Sequence, residues 1–307
     1  MITHYYKKSE DSDLQNLSSV CAGVWTHMVA PTEAEFEALV KLYGLDETIL
    51  KDIEDFFEVP RFEKEGSAAY FFTRYPYDVK DHDIDTAPIL VILGETFLIT
   101  VAQQEIPFLN PFINGNRSFS TTQKTTLFLE FLSELMVTYE QKLTRTRRMV
   151  YRDMGRVRTI RGKDIQRLVF LEQELNETIS ALDPTHTWLQ HLTKGNYIQM
   201  FSEDRELLED LLIANIQLID SAKSILKTIQ NIRGASEAIL TQNLNSTIRM
   251  LTAFTIVLTI PTLISSLFGM NVNVPLQNSP FGFWFILVFI VAVVGLTMYF
   301  FTRNRWI

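Results

Sequence analysis

Met250–Thr302 reads MLTAFTIVLTIPTLISSLFGMNVNVPLQNSPFGFWFILVFIVAVVGLTMYFFT, 53 residues without an Asp, Glu, Lys or Arg, flanked by Arg249 and Arg303. Met250–Phe268 supplies 19 uncharged residues and Phe281–Phe301 supplies 21 more. The polar stretch Gly269–Pro280 separates them. Crossing a hydrocarbon core of about 30 Å takes roughly 20 apolar residues at about 1.5 Å rise each. Both stretches meet that length and both are too long for an ordinary buried strand. The reading is a two-helix transmembrane hairpin at the end of a mostly soluble chain.

The first span carries a polar stripe. Asn245, Ile248, Thr252, Thr255, Thr259, Thr262 and Ser266 follow one another in alternating steps of three and four, which places them on one helix face. Two readings compete. Hydroxyls in membrane helices commonly bond back to their own backbone or knit helices together; a polar face also suits a water-filled path. Two spans do not enclose a path, so the second reading requires several chains around a common axis. Pro261 removes one backbone donor inside the span and predicts a kink there.

At 307 residues the chain has room for one sizeable soluble domain plus the hairpin. Its formal net charge of −8 argues against nucleic acid as a partner. The single cysteine, Cys21, excludes an internal disulfide, fits a reducing compartment, and is expected as a buried thiol. Met1–Asp13 has no apolar h-region, so no cleavable signal is expected. Arg249, Arg303 and Arg305 flank the hairpin on its two chain ends. By the positive-inside rule both termini are expected to be cytoplasmic and the loop external; the expected setting is a multi-pass protein of the plasma (inner) membrane.

Residues 1–118 read as a cytosolic domain of mixed α and β character. Ala22–Met28, Ala69–Tyr75, Ile89–Leu93 and Thr96–Val101 have strand composition, and Gly94-Glu95 suits a two-residue hairpin turn with glycine first. Thr32 and Glu35 form a capping box for a helix over Glu33–Tyr43 that Gly44 closes. Asp46 caps a second helix to Asp55. Residues 119–201 read as a long helical pair, Thr121–Arg161 and Lys163–Lys194, with a kink expected at Pro184. A stalk helix opens near Ser202, its first turns bearing Glu203, Asp204 and Glu206, and continues through 249 into the first span at 250–268. The loop 269–280, the second span 281–301 and a basic tail 302–307 follow. A helix that long is a natural lever between a soluble sensor and the membrane. From Gln141 to Lys163 nine basic residues (Lys142, Arg145, Arg147, Arg148, Arg152, Arg156, Arg158, Arg161, Lys163) face one acid, Asp153. That segment suits either solvent or anionic lipid headgroups.

Gly269-Met270-Asn271 directly after the first of two C-terminal spans, with Asn245 upstream, resembles the signature of the CorA family of magnesium transport proteins. The run Pro261–Phe268 is also similar to the family's, with its proline shifted by one position. Val24-Trp25-Thr26, Pro31-Thr32-Glu33 and Pro60-Arg61-Phe62-Glu63 resemble the family's cytosolic domain in order and spacing. The resemblance covers essentially the whole chain. It implies an α+β cytosolic domain, long helices and a C-terminal hairpin assembled as an oligomeric funnel-like channel, a homopentamer. It implies a divalent cation channel, foremost for Mg2+ uptake driven by membrane potential and gated by cytosolic metal. Gly269, Met270 and Asn271 would be the selectivity filter, and the polar stripe from Asn245 to Ser266 the pore lining. Asp78 and Asp210 would share a regulatory Mg2+ between neighbouring subunits. Without the resemblance, Asp210 reads as a solvated acid and the Asp78 run as an exposed loop.

Two departures stand out. Where relatives carry an acidic residue soon after the tripeptide, this chain has Val274-Pro275-Leu276, and its whole outer loop is uncharged. The family's often acidic helical tip is here basic. A Zn2+ or Co2+/Ni2+ transporter of the same family is a second reading, although the stripe offers only hard oxygen ligands. A non-conducting, membrane-anchored metal sensor is a third. The sequence has no GxxxxGK[ST] loop and no HExxH, and His186 and His191 share no helix face; no catalytic residue is assigned and an enzyme is not expected.

Overall fold

The computed structural model describes residues 2–9, 13–77, 86–154, 162–195, 197–276, 279–304 and 306. It divides into two compact units, Met1–Ile232 and Arg233–Ile307. The first contains a seven-stranded mixed sheet of order β2-β1-β3-β7-β6-β5-β4. Its strands are β1 (Ile2–Tyr6), β2 (Gln15–Leu17), β3 (Val24–Val29), β4 (Arg61–Glu65), β5 (Ala68–Pro76), β6 (Thr86–Leu93) and β7 (Phe97–Ala102). Among the described residues only β3 and β7 pair in parallel; every other pairing is antiparallel. Helices α1 (Glu33–Tyr43) and α2 (Glu47–Lys51) follow β3, and the short α3 (Asn110–Ile113) follows β7. Then come α4 (Lys124–Met154), α5 (Gly162–Lys194), α6 (Ser202–Phe268) and α7 (Gly282–Arg303).

Both faces of the central strands are covered, which is why β5 and β6 read as nearly unbroken apolar runs. Alternate residues serve the two sides. Ala69, Phe71 and Tyr75 point to the cluster that includes Phe128, Leu132, Leu135 and Tyr139 of α4 and Trp188 of α5. Tyr70 and Phe72 point to a cluster with Phe36 and Leu39 of α1 and Leu50 of α2. Ring centroids lie 4.5 Å apart for Phe71 and Phe128 and 4.9 Å for Trp25 and Phe131. Burial drives the His27 pKa down to about 4, so the ring is neutral; its Nδ1 lies 2.8 Å from the Thr100 hydroxyl.

Local signals act where the residues place them. The Thr32–Glu35 capping box forms in full, and Gly44 adopts the left-handed conformation that ends α1. Asp46 accepts from the backbone of Thr48 and Ile49 at the start of α2. Several expectations are corrected. The β6–β7 turn centres on Glu95-Thr96 instead of Gly94-Glu95, because Gly94 pairs with Phe97 (N to O, 3.1 Å). Gly94 serves there as clearance: a Cβ would meet the Phe97 ring at 2.2 Å. Cys21 is exposed instead of buried. Helix α4 opens at Lys124 instead of Thr121, since Thr121 is tied to Lys7, just past the end of β1, by backbone and hydroxyl bonds. The stretch 155–161 lies outside the described residues, so the expected run to Arg161 is followed only to Met154. Helices α5 and α6 run through Pro184 and Pro261 without a break in their assignment.

Candidate functional site

The second unit holds the end of α6 and all of α7. Both helices are long and apolar enough to cross a membrane, and only 6% of the most apolar stretch of each is buried against the rest of the chain. Such exposure is untenable in water for a soluble core helix and natural in lipid. Half-buried Val257, Ile260, Pro261, Ile264 and Phe268, with fully buried Ala253, form one face of α6. On α7 the protected positions are Ile286, Ile290, Val293, Val294, Thr297 and Phe301. These are the faces the two helices protect within the hairpin.

The polar stripe lies on the other side. Asn245, Ile248, Thr252, Thr255, Thr259, Thr262 and Ser266 are all exposed. At about 100° per residue their mean direction is roughly 160° from the protected face. The hydroxyls are locally bonded: Thr252, Thr255, Thr259 and Thr262 donate to the carbonyls of Ile248, Leu251, Thr255 and Leu258 at 2.8, 2.9, 2.7 and 2.9 Å. Each of these four threonine hydroxyls bonds back to its own helix, and the face they share points away from α7.

Helix α6 ends at the tripeptide. The Gly269 amide donates to Ser265 O at 3.0 Å and Ser266 O at 3.2 Å, closing the last turn. A Cβ on Gly269 would lie 3.3 Å from the Ser265 carbonyl, so glycine provides close approach at the helix end. Gly269 is not among the positive-φ glycines, so its role here is clearance and not a left-handed backbone. Met270 and Asn271 follow, both exposed. Behind them a groove of about 600 Å³ is lined by Phe268, Gly269, Val274, Leu276, Gly282 and Ile286, among others. Leu276 has φ 69°, and a Cβ on Gly282 would stand 2.6 Å from its carbonyl oxygen. Only glycine admits that contact where α7 begins.

In the first unit, exposed Asp210 on α6 lines a groove of about 310 Å³ against α4. Glu140, Ser133, Thr144, Arg147 and Gln217 share it. Arg147 reaches across to Ser221 Oγ at 2.6 Å. Glu140 was not singled out from the sequence: it lies 70 residues from Asp210, and only the α4–α6 packing brings them together. Asp78 lies outside the described residues, so its expected pairing with Asp210 is not placed. Among the described residues no group of three or more His, Cys, Asp or Glu gathers as a metal site.

The basic segment divides. Lys142 Nζ stands 3.7 Å from Glu174 Oε1, with both side chains largely buried, and Thr146 donates to the same oxygen. Arg145, Arg148 and Arg152 instead line an outer groove of α4 and form no ion pair with another described residue.

A family model described as CorA-like Mg2+ transporter protein matches residues 22–303. The chain belongs to that family. The cobalt/magnesium transport protein CorA of Methanocaldococcus jannaschii is 23% identical over 296 residues, covering 92% of this chain and 91% of the relative. The magnesium transport protein CorA of Pasteurella multocida is 20% identical over 298 residues, covering 93% and 92%. The complete CorA structure from M. jannaschii superposes with a TM-score of 0.87 at 20% identity, over 100% of this chain and 99% of the other. Membership in the CorA-like family and a mixed sheet with long helices and two C-terminal candidate spans therefore agree with the expectation from Gly269-Met270-Asn271.

Proposed function

We propose that the protein is a passive divalent cation transporter with Mg2+ as its foremost cargo. The observation that carries this reading is the exposed hydroxyl face of α6, turned away from α7 and ending in Gly269-Met270-Asn271, in a chain of the CorA-like family. An anchor needs neither the stripe nor the filter. Because one hairpin leaves the stripe without a partner, copies of the chain assemble with these faces inward; on the family resemblance their number would be five. Arg249 and Arg303 support the orientation with both ends of the hairpin on the cytoplasmic side of the plasma (inner) membrane.

Mg2+ sheds water reluctantly and prefers octahedral oxygen, so a filter that holds the hydrated ion costs less than one that strips it. Asn271 amide oxygens around the axis would accept from that shell. The inside-negative potential supplies about 2.3 kcal/mol per charge per 100 mV, and a divalent ion gains twice that. Asp210 would contribute to a regulatory carboxylate site together with Asp78 of a neighbouring copy, and Glu140, which lines the same groove, would supply the same hard-oxygen chemistry. The unpaired basic face of α4 at Arg145, Arg148 and Arg152 suits anionic headgroups. Nothing in these sites calls for bond-making chemistry.

The test is uptake of Mg2+, Co2+ and Zn2+ into proteoliposomes, with Asn271→Ala alongside. Voltage-sensitive Mg2+ uptake that drops to the leak of empty liposomes in the variant is expected. Zn2+ uptake without Mg2+ uptake would replace the cargo; silence for all three from an assembled oligomer would leave a non-conducting sensor. For regulation, Asp78→Asn with Asp210→Asn should make uptake insensitive to internal Mg2+, and unchanged inhibition would sink that part.

A further inference from the structure

An uncharged path poses a question of sign. Met250–Thr302 holds no formal charge, and the outer loop has no acidic residue to repel anions. Something else must tell Mg2+ from its counter-ion. We propose that the threonine face of α6 makes this distinction through the orientation of its hydroxyls: their protons are committed to the helix backbone, so the wall presents acceptors only. This rests on the reading of that face as the pore lining.

A threonine hydroxyl has one donor proton and two acceptor lone pairs. In Thr252, Thr255, Thr259 and Thr262 the proton goes to the carbonyl four residues back, at 2.7–2.9 Å in every case. Among the described residues no second side chain takes up the lone pairs, and all four threonines are exposed on the face opposite α7. Water around a cation turns its oxygen inward and its hydrogens outward, so a hydrated cation needs acceptors around it. Water around an anion turns its lone pairs outward, so a hydrated anion needs donors. Each hydroxyl that turned to donate to an anion's shell would first have to leave its carbonyl. The four threonines span almost three helical turns, from Thr252 to Thr262, which gives a continuous acceptor lining instead of one ring. Ile248, in the same stripe, contributes nothing to it. Asn245 and Asn271 carry both donor and acceptor atoms and so lack this built-in sign. Sign discrimination is thereby assigned to the threonines, while Asn271 holds the hydrated ion at the filter.

The experiment uses the full-length chain in planar bilayers with a MgCl2 gradient, reading the Mg2+ to Cl− permeability ratio from the reversal potential. Thr255→Val/Thr259→Val keeps the branched shape and removes the acceptors; Mg2+ conductance should fall about tenfold. Thr255→Ser/Thr259→Ser keeps a hydroxyl that bonds back and should stay within about twofold. Thr255→Asn/Thr259→Asn places amide donors in the same wall and should raise relative Cl− permeability. Size-exclusion profiles matching wild type establish that each variant assembles. Valine and asparagine variants that keep wild-type conductance and permeability ratio would overturn the proposal. If Asn271→Ala still abolishes Mg2+ current in that case, only the role of the threonine wall has failed. If neither Asn271→Ala nor the threonine variants affect any current, the pore reading itself has failed.

Discussion

Threonines in α5 and in the membrane part of α6 make the same local bond and end in opposite circumstances. Thr185 in α5 donates to the Ala181 carbonyl at 2.8 Å, and its oxygen also meets the Thr73 hydroxyl of β5 at 3.2 Å in a fully buried contact. Thr178 donates to the Glu174 carbonyl at 2.9 Å and is buried as well. Thr259 makes the equivalent bond to Thr255 at 2.7 Å, but its remaining lone pairs face outward. Back-bonding alone therefore says nothing about role. What separates a structural hydroxyl from one available to a passing ion is whether the rest of its capacity is already filled. The basic residues of α4 divide the same way: Lys142 is tied to Glu174, while Arg145, Arg148 and Arg152 remain open.

The largest expected effect tests how closed the first unit is. His27 is buried with a pKa near 4, below the ordinary value of 6.5. Between those values the unfolded chain takes up a proton that the folded chain refuses, so stability falls as pH drops from 6.5 to about 4 and levels off below. The full contribution is about 3 kcal/mol. Urea unfolding of wild type and His27→Gln across this range should show the slope reduced in the variant; an identical slope would place the proton elsewhere.

Next comes the threonine contrast itself. Thr185→Val strands the buried Thr73 hydroxyl and should cost about 1–3 kcal/mol in thermal unfolding. Thr259→Val should change stability by less than about 0.5 kcal/mol, since no partner is left unsatisfied. Equal losses at both positions would break the comparison. A smaller contrast separates the basic residues: Lys142→Gln should cost about 1 kcal/mol by weakening its contact with largely buried Glu174. Replacing Arg145, Arg148 and Arg152 singly by Gln should each cost below about 0.5 kcal/mol. If those arginine changes proved as destabilising as Lys142→Gln, the outer groove would be a structural contact instead of an open face.

Features that depend on neighbours in sequence were legible. The Thr32–Glu35 box, the Gly44 cap, the two spans and the stripe from Asn245 to Ser266 are all set by spacings within a few turns. Strands β1, β2 and β4 were missed for a physical reason. All three lie toward the sheet margins, and β4 reads Arg61-Phe62-Glu63-Lys64-Glu65, a charged edge that discourages further pairing. Its partners explain it in retrospect: Phe62 stacks on Phe71 at 5.0 Å and the Arg61 guanidinium sits 4.0 Å over Phe72. Cys21 looked like a core thiol by composition but lies in the exposed turn before β3.

The sequence by itself determined that this chain carries two apolar helices, a hydroxyl stripe at heptad spacing and a Gly269-Met270-Asn271 end to that stripe. Those properties follow from helical periodicity and from the cost of placing charge in hydrocarbon, both local matters. Tertiary structure decided which side of α6 the second helix covers, which described basic residues of α4 stay free, and that Glu140 lines the same groove as Asp210. These depend on which element packs against which face, and packing joins residues that spacing along the chain does not relate.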